Sequence, residues 1–183
     1  KRAAMARYMA LRRRLLKLEE VHMYDLYVPM LPGAGRSYTF QQAKEVVKKG
    51  LAVLGGDYLN ILEEGFSGGW IDVYENKGKR SGAYSWGAYG SHPYVVLNFS
   101  GNLNSVFTLA HEMGHAIHSY YSDQEQPYLY AGYRIFVAEV ASTVNEYLLI
   151  RHLLGSAESR EEKAGLLNYL LEQFRGTLYR QTM

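Results

Sequence analysis

The sequence predicts a mainly α-helical fold with one small β-sheet. Three observations carry that expectation. Apolar residues recur at helical spacing through the first and last thirds of the chain, a short middle stretch is crowded with aromatic and β-branched residues, and no repeat or low-complexity tract interrupts either pattern.

Taken in order, residues 3–20 place Ala4, Tyr8, Leu11, Leu15 and Leu18 along one face, as a helix requires. Arg12, Arg13 and Lys17 fall away from that stripe and Arg14 flanks it, so this basic run is expected to be a solvated face and not a nucleic-acid patch. His22 to Tyr38 holds two prolines and two glycines and reads as a loop. Thr39 followed by Gln42 is a capping box that opens a helix to about Gly55, and "DYLNILEEG" is a shorter helical piece after it. "WIDVY", "SGAYSWGAY" and "PYVVLNF" read as strands, with "ENKGKR" turning between the first two. Asn104 or Ser105 is expected to cap the helix that carries "LAHEMGHAIHSYY". A loop with Asp123 and Pro127 leads to Gly132, residues 133–154 form a helix that ends at Gly155, and residues 159–181 form a last amphipathic helix. The resulting segments are helical (1–66), sheet (70–99) and helical again (104–181). They are expected to make up one piece of a domain cut at both ends, since both ends lie inside helical patterns.

Composition narrows the chemistry. The 183 residues are 48% hydrophobic and 21% charged, with a net charge of +2, so no strong field points at nucleic acid. No apolar run is long enough to span a bilayer and no signal-peptide pattern stands at the front, so a cytoplasmic protein without a membrane partner is expected. Cysteine is absent, which removes disulfides and thiolate metal sites and leaves His, Asp and Glu as metal ligands.

Half of the six histidines sit in "HEMGHAIH". His111, Glu112 and His115 spell H-E-x-x-H. On a helix the two imidazoles lie one turn apart on one face and reach one zinc ion, while Glu112 is placed to hold the attacking water and take its proton. His118 shares the face, but stands about 10 Å along the axis from His111, too far for the same ion, and is expected to support or pack. A third ligand is expected from the next helix. There Glu139, Ser142 and Glu146 form a polar stripe among Phe136, Val137, Val140, Val144, Tyr147 and Leu148, residues suited to burial. A Glu from that stripe would complete a His2Glu set with one position open, and Glu146, Ser142 or Asn145 could hold a ligand imidazole in its tautomer.

These residues resemble the thimet-oligopeptidase superfamily of zinc peptidases, and within it the bacterial oligoendopeptidase F branch. The likeness rests on "HEMGHAIH", on Glu139 twenty-four residues after His115, on "EVAS" and "NE", and on "GKRSGAYSW", "HPYVVLNF", "HMYDLYVP" and "YRQTM". It implies a mainly helical fold around a deep channel, short peptides as substrates and one zinc ion per chain. His111, His115 and Glu139 would be the ligands and Glu112 the general base. It also implies Tyr and His oxyanion donors beyond Met183, so that the 183-residue piece alone would turn over peptides poorly. The strand segment with Gly82, Ala83 and Tyr84, and His92 after it, is expected to line the substrate backbone, with Gly82, Gly87 and Gly90 allowing close approach. The alternatives are another Glu-zincin, such as an aminopeptidase, and a non-catalytic zinc- or peptide-binding piece. No Glu pattern reserved for a substrate amino group favours the aminopeptidase.

Overall fold

The computed structural model describes residues 2–31 and 36–182, which form two units, one within Arg36–Gly155 and one joining the two ends of the chain. Pro32 to Gly35 of the expected loop lie outside the described residues.

In the larger unit, α2 (Phe40–Leu51) begins at the expected capping box. Thr39 Oγ1 accepts from the Gln42 amide at 3.1 Å and Gln42 Oε1 accepts from the Thr39 amide at 2.9 Å. A 3-10 turn (Ala52–Leu54) and Gly55, at φ +93°, redirect the chain into α3 (Gly56–Ser67). Three short strands follow: β1 (Ile71–Asp72), β2 (Tyr84–Trp86) and β3 (Tyr94–Val96). The turn between the first two does not pair them, because β3 lies between them, parallel to β1 and antiparallel to β2. Apolarity explains the order. Val95 on β3 and Leu97 just after it are buried, as a central strand requires, while β1 and β2 are half exposed.

The helix α4 (Leu103–Glu125) is the spine of this unit and packs against α2, α3, α5, β2 and β3. Its cap is Asn102, two residues before the expected position. The Asn102 carboxamide oxygen accepts from the Ser105 amide at 2.9 Å, leaving the Ser105 hydroxyl to accept from the Ser100 amide. Val106, Phe107, Leu109, Ala110, Met113 and Ile117 are fully buried and make α4 the centre of the core. The helix runs past Asp123, which was expected in a loop, and is followed by the single turn α5 (Tyr128–Ala131) and by α6 (Ile135–Ser156).

The helix α6 reverses the expected burial. Ala138, Ser142, Asn145, Leu149 and Ile150 face inward, whereas Phe136, Val137, Val140, Val144 and Tyr147 are exposed. The inward face is small and polar because α4 approaches closely. A Cβ added at Gly114 would stand 2.7 Å from the Ser142 Cα and 3.0 Å from the Ala141 carbonyl oxygen.

The second unit contains α1 (Arg2–Leu16), a 3-10 turn at Met23–Tyr27 and α7 (Arg160–Phe174), which is capped by Ser159 and continues as a π turn and a 3-10 turn to Thr182. Arg12, expected on a solvated face, is 1% exposed. Its guanidinium donates to the carbonyls of Asp25 and Leu26, each at 2.9 Å, and to that of Val28, and pairs with Glu172 at 2.9 Å. The Asp25 carbonyl also accepts from the Val28 amide at 3.2 Å, and the guanidinium adds donors to all three carbonyls that a hydrophobic side chain could not supply. Among the described residues no helix is long and apolar enough to cross a membrane.

Candidate metal centre

His111 and His115 stand one turn apart on one face of α4, and the backbone geometry brings their rings together. The two Nε2 atoms are 3.1 Å apart, with ring planes at 84°. From α6, Glu139 Oε2 approaches to 3.6 Å from His111 Nε2 and 3.8 Å from His115 Nε2. Two ligand atoms held about 2.0–2.1 Å from a tetrahedral ion stand about 3.3 Å apart. The three observed separations bracket that edge length, so these donors fit a divalent ion of this kind. Among the described residues they are the one group of three or more His, Asp and Glu side chains with that potential.

Each of these three side chains is held from behind. Glu146, two turns beyond Glu139 on α6, meets His111 Nδ1 at 2.5 Å, which puts the ring proton on Nδ1 and leaves the Nε2 lone pair facing Glu139. The backbone of Ala138 hydrogen-bonds the His115 ring. Ser142 Oγ donates to Glu139 Oε2 at 3.1 Å, so this hydroxyl steadies the carboxylate and not an imidazole. Asn145 serves neither ligand directly. Its amide donates to the Ala110 carbonyl at 3.0 Å and is tied to the Tyr58 hydroxyl on α3, which fixes α6 against the turn preceding His111.

Electrostatics follow from that crowding. Burial pushes Glu112 up to about 7; the charge of His111 opposes this, and those of Glu139 and Glu146 add to it. Burial acts against a charged His111, but the hydrogen bond and charge of Glu146, with Glu112 and Glu139, outweigh it and raise its pKa. His115 is lowered by burial and by the neighbouring His111. A cation bound beside Glu112 would oppose the effect of burial and favour its ionised form. Glu112 is 7% exposed and lies on α4 between His111 and His115 in sequence.

His118 lies apart from this group. It stacks on Tyr133 with ring centroids 3.9 Å apart, burial lowers its pKa, and its Nδ1 is shielded without a partner. It packs. His92 stacks on Trp70 at 5.9 Å and against Tyr94 at 4.5 Å, and its Nδ1 meets the Pro93 carbonyl. Gly82 and Ala83 line a recess of about 180 Å³ with Asn98, Asn104 and Thr108, one helical turn before His111. Tyr84 opens β2, an edge strand, and is exposed. Of the three glycines expected to allow close approach, only Gly87 does so, since a Cβ there would meet Ser119 at 2.9 Å. Gly82 and Gly90 have open space around them and serve instead through positive φ. Sequence reasoning missed Gly114, although a glycine in a helix interior is itself a signal of close approach, and it missed Tyr58, for which the sequence carries no signal.

Two histidines and a carboxylate from α4 and α6, with a buried carboxylate beside them, match the arrangement of an H-E-x-x-H motif whose donor atoms could hold one metal ion. The chain belongs to peptidase family M3, whose family model matches residues 1–183. It is 55% identical to the oligopeptidase PepF of Bacillus subtilis over 177 residues, covering 97% of this chain and 26% of that protein. It is 43% identical to the chromosomal oligoendopeptidase F of Lactococcus lactis, covering 96% of this chain and 29% of the relative. Among solved structures, a chain from Chlamydophila abortus superposes with a TM-score of 0.85 at 44% identity over 98% of this chain and 30% of that one. The oligoendopeptidase F of Enterococcus faecium gives 0.59 at 33% identity, over 96% of this chain and 23% of that one. This chain therefore spans between a quarter and a third of the length of the curated relatives named here.

Proposed function

We propose that this chain is the metal-binding catalytic part of a zinc endopeptidase that hydrolyses short peptides in the cytoplasm. His111, His115 and Glu139 hold the ion and Glu112 acts as the general base. The observation that carries the reading is the triangle of donor atoms at 3.1, 3.6 and 3.8 Å, whose edges suit one tetrahedral ion. When bound, zinc supplies Lewis acidity, polarising the scissile carbonyl and making water acidic enough to attack it at neutral pH.

The chain's own residues supply the rest. Glu112 accepts the proton that the attacking water loses and returns it to the departing amine, a shuttle suited to a carboxylate whose proton affinity burial has raised. Glu146 keeps His111 in the tautomer that presents Nε2 to the ion. The free edge of β2, beside α4, offers backbone groups along which an extended peptide can lie, with Gly82, Ala83 and Tyr84 at its start. Family membership supports peptides as the substrate class. A panel of internally quenched peptides, tested with the full chain before and after chelation, checks the reading. Cleavage that chelator abolishes and zinc restores is expected; cleavage that survives complete metal removal would overturn it.

A further inference from the structure

A cavity of about 650 Å³ opens where β2 and the residues after it face the C-terminal half of α4 and the segment that follows it. Its walls include Trp86, Tyr89, Tyr128 and Tyr133, and Asp123 is the one charged side chain among its lining residues. Trp86 and Tyr128 are 69% and 71% exposed, and Tyr128 meets Tyr89 in an edge contact with ring centroids 5.4 Å apart. Asp123 has no ion-pair partner among the described residues. On the strand side Ser85 Oγ lies buried without a hydrogen-bond partner.

We propose that this cavity is a subsite for a cationic substrate side chain, Lys or Arg, with Asp123 as the counter-charge. The inference rests on the peptidase reading and adds a specificity determinant to it. Ring faces carry negative electrostatic potential and add to the field of a carboxylate, so the site attracts a cation and repels an anion. An apolar occupant would strip water from Asp123 and return no hydrogen bond, whereas an ammonium or guanidinium does both.

The placement suits a peptide passing the metal centre. Ser119 and Asp123 follow His115 by four and eight residues on α4, about 6 and 12 Å along the helix axis. At roughly 3.3 Å per residue an extended peptide covers that distance in two to four residues. Because β2 borders this cavity and Gly82 and Ala83, just before it, line the smaller recess near His111, one extended chain can follow the strand from one to the other.

The test moves a single Lys through each position of a neutral, quenched host peptide, with norleucine at the same position as the uncharged match, using the zinc-loaded full chain. At one position two to four residues from the cleaved bond, Lys should exceed norleucine about tenfold in kcat/KM. Asp123→Asn should bring that ratio to about one by lowering Lys cleavage more than norleucine cleavage, and Asp123→Lys should shift the preference to Glu. Binding of the same labelled peptides to Glu112→Gln by fluorescence polarisation gives a readout independent of turnover. A Lys preference in binding without cleavage of any peptide by the wild-type chain would overturn the peptidase reading and keep the subsite. Cleavage with no Lys preference at any position, or equal losses for Lys and norleucine in Asp123→Asn, would overturn the subsite.

Discussion

Gly114 is a position where a substitution should disturb the candidate metal site without touching His111, His115 or Glu139. In Gly114→Ala the new Cβ would lie 2.7 Å from the Ser142 Cα, and ordinary contact begins at 3.4 Å, so α4 and α6 must separate by about 0.7 Å. Ser142 steadies Glu139, which stands one turn earlier on α6, and the carboxylate moves with the helix. An equal shift takes the shorter Glu139–His111 separation from 3.6 Å to about 4.3 Å, beyond the roughly 3.3 Å that one tetrahedral ion spans. Zinc affinity should fall about ten- to a hundredfold, and turnover about a hundredfold, as displacements near 1 Å do. Stability should change less. Overpacking costs about 1–3 kcal/mol, while replacing a helical glycine returns up to about 1 kcal/mol. Chelator competition for zinc, with circular dichroism to show the helices intact, is the assay. Gly155→Ala, also in α6 but with open space around its Cβ, is the control and should leave affinity unchanged. Wild-type zinc affinity in a folded Gly114→Ala protein would refute the argument that helix spacing sets the ligand triangle.

Other perturbations separate the remaining roles. Glu112→Gln should keep zinc and fold and lose hydrolysis, since an amide holds water but takes no proton; metal analysis showing that the variant has lost its zinc would make Glu112 a structural group. Glu139→Ala should weaken zinc binding far more than His118→Ala, because His118 stacks on Tyr133 and not on the ligand group, and the reverse order in metal titrations would break the assignment. Glu146→Gln removes the charge behind His111 and should weaken zinc about ten- to a hundredfold; an unchanged dissociation constant would show that the tautomer needs no carboxylate. Arg12→Met removes the side-chain donor from the Leu26 and Val28 carbonyls while Glu172 keeps Arg175 and Tyr8, and should destabilise the unit joining the chain ends by about 1–3 kcal/mol in a denaturant melt, with zinc affinity unaffected.

What the sequence made legible was whatever depends on spacing along one helix. The turn that separates His111 from His115 and the capping box at Thr39 are local, so their geometry follows from the order of residues alone. Burial on α6 was not legible, because periodicity shows that two faces differ but not which one meets a neighbour. Small and polar Ala138, Ser142 and Asn145 turned inward because Gly114 brings α4 too close for larger side chains. Arg12 was misread for a similar reason. A guanidinium is at home in solvent unless a turn distant in sequence offers it carbonyls, and nothing within α1 announces the Met23–Tyr27 turn. Strand order likewise depends on which strand is most apolar, a comparison between segments that no single segment contains.

The outward face of α6 also governs how this chain behaves as a material in solution. Phe136, Val140, Val144 and Tyr147 leave the side away from α4 apolar, so the helix is greasy on a surface that water wets, the situation in which colloidal attraction between molecules sets in. Self-association should therefore rise with concentration, and an environment-sensitive dye should brighten on the folded protein without any loss of helix. Charged residues at Val140 and Val144 would quiet both signals while leaving Glu139, on a different side of the helix, at its post. The scaffold that presents the carboxylate and the surface that causes the stickiness are separable, and a well-behaved sample is obtained by editing only the second.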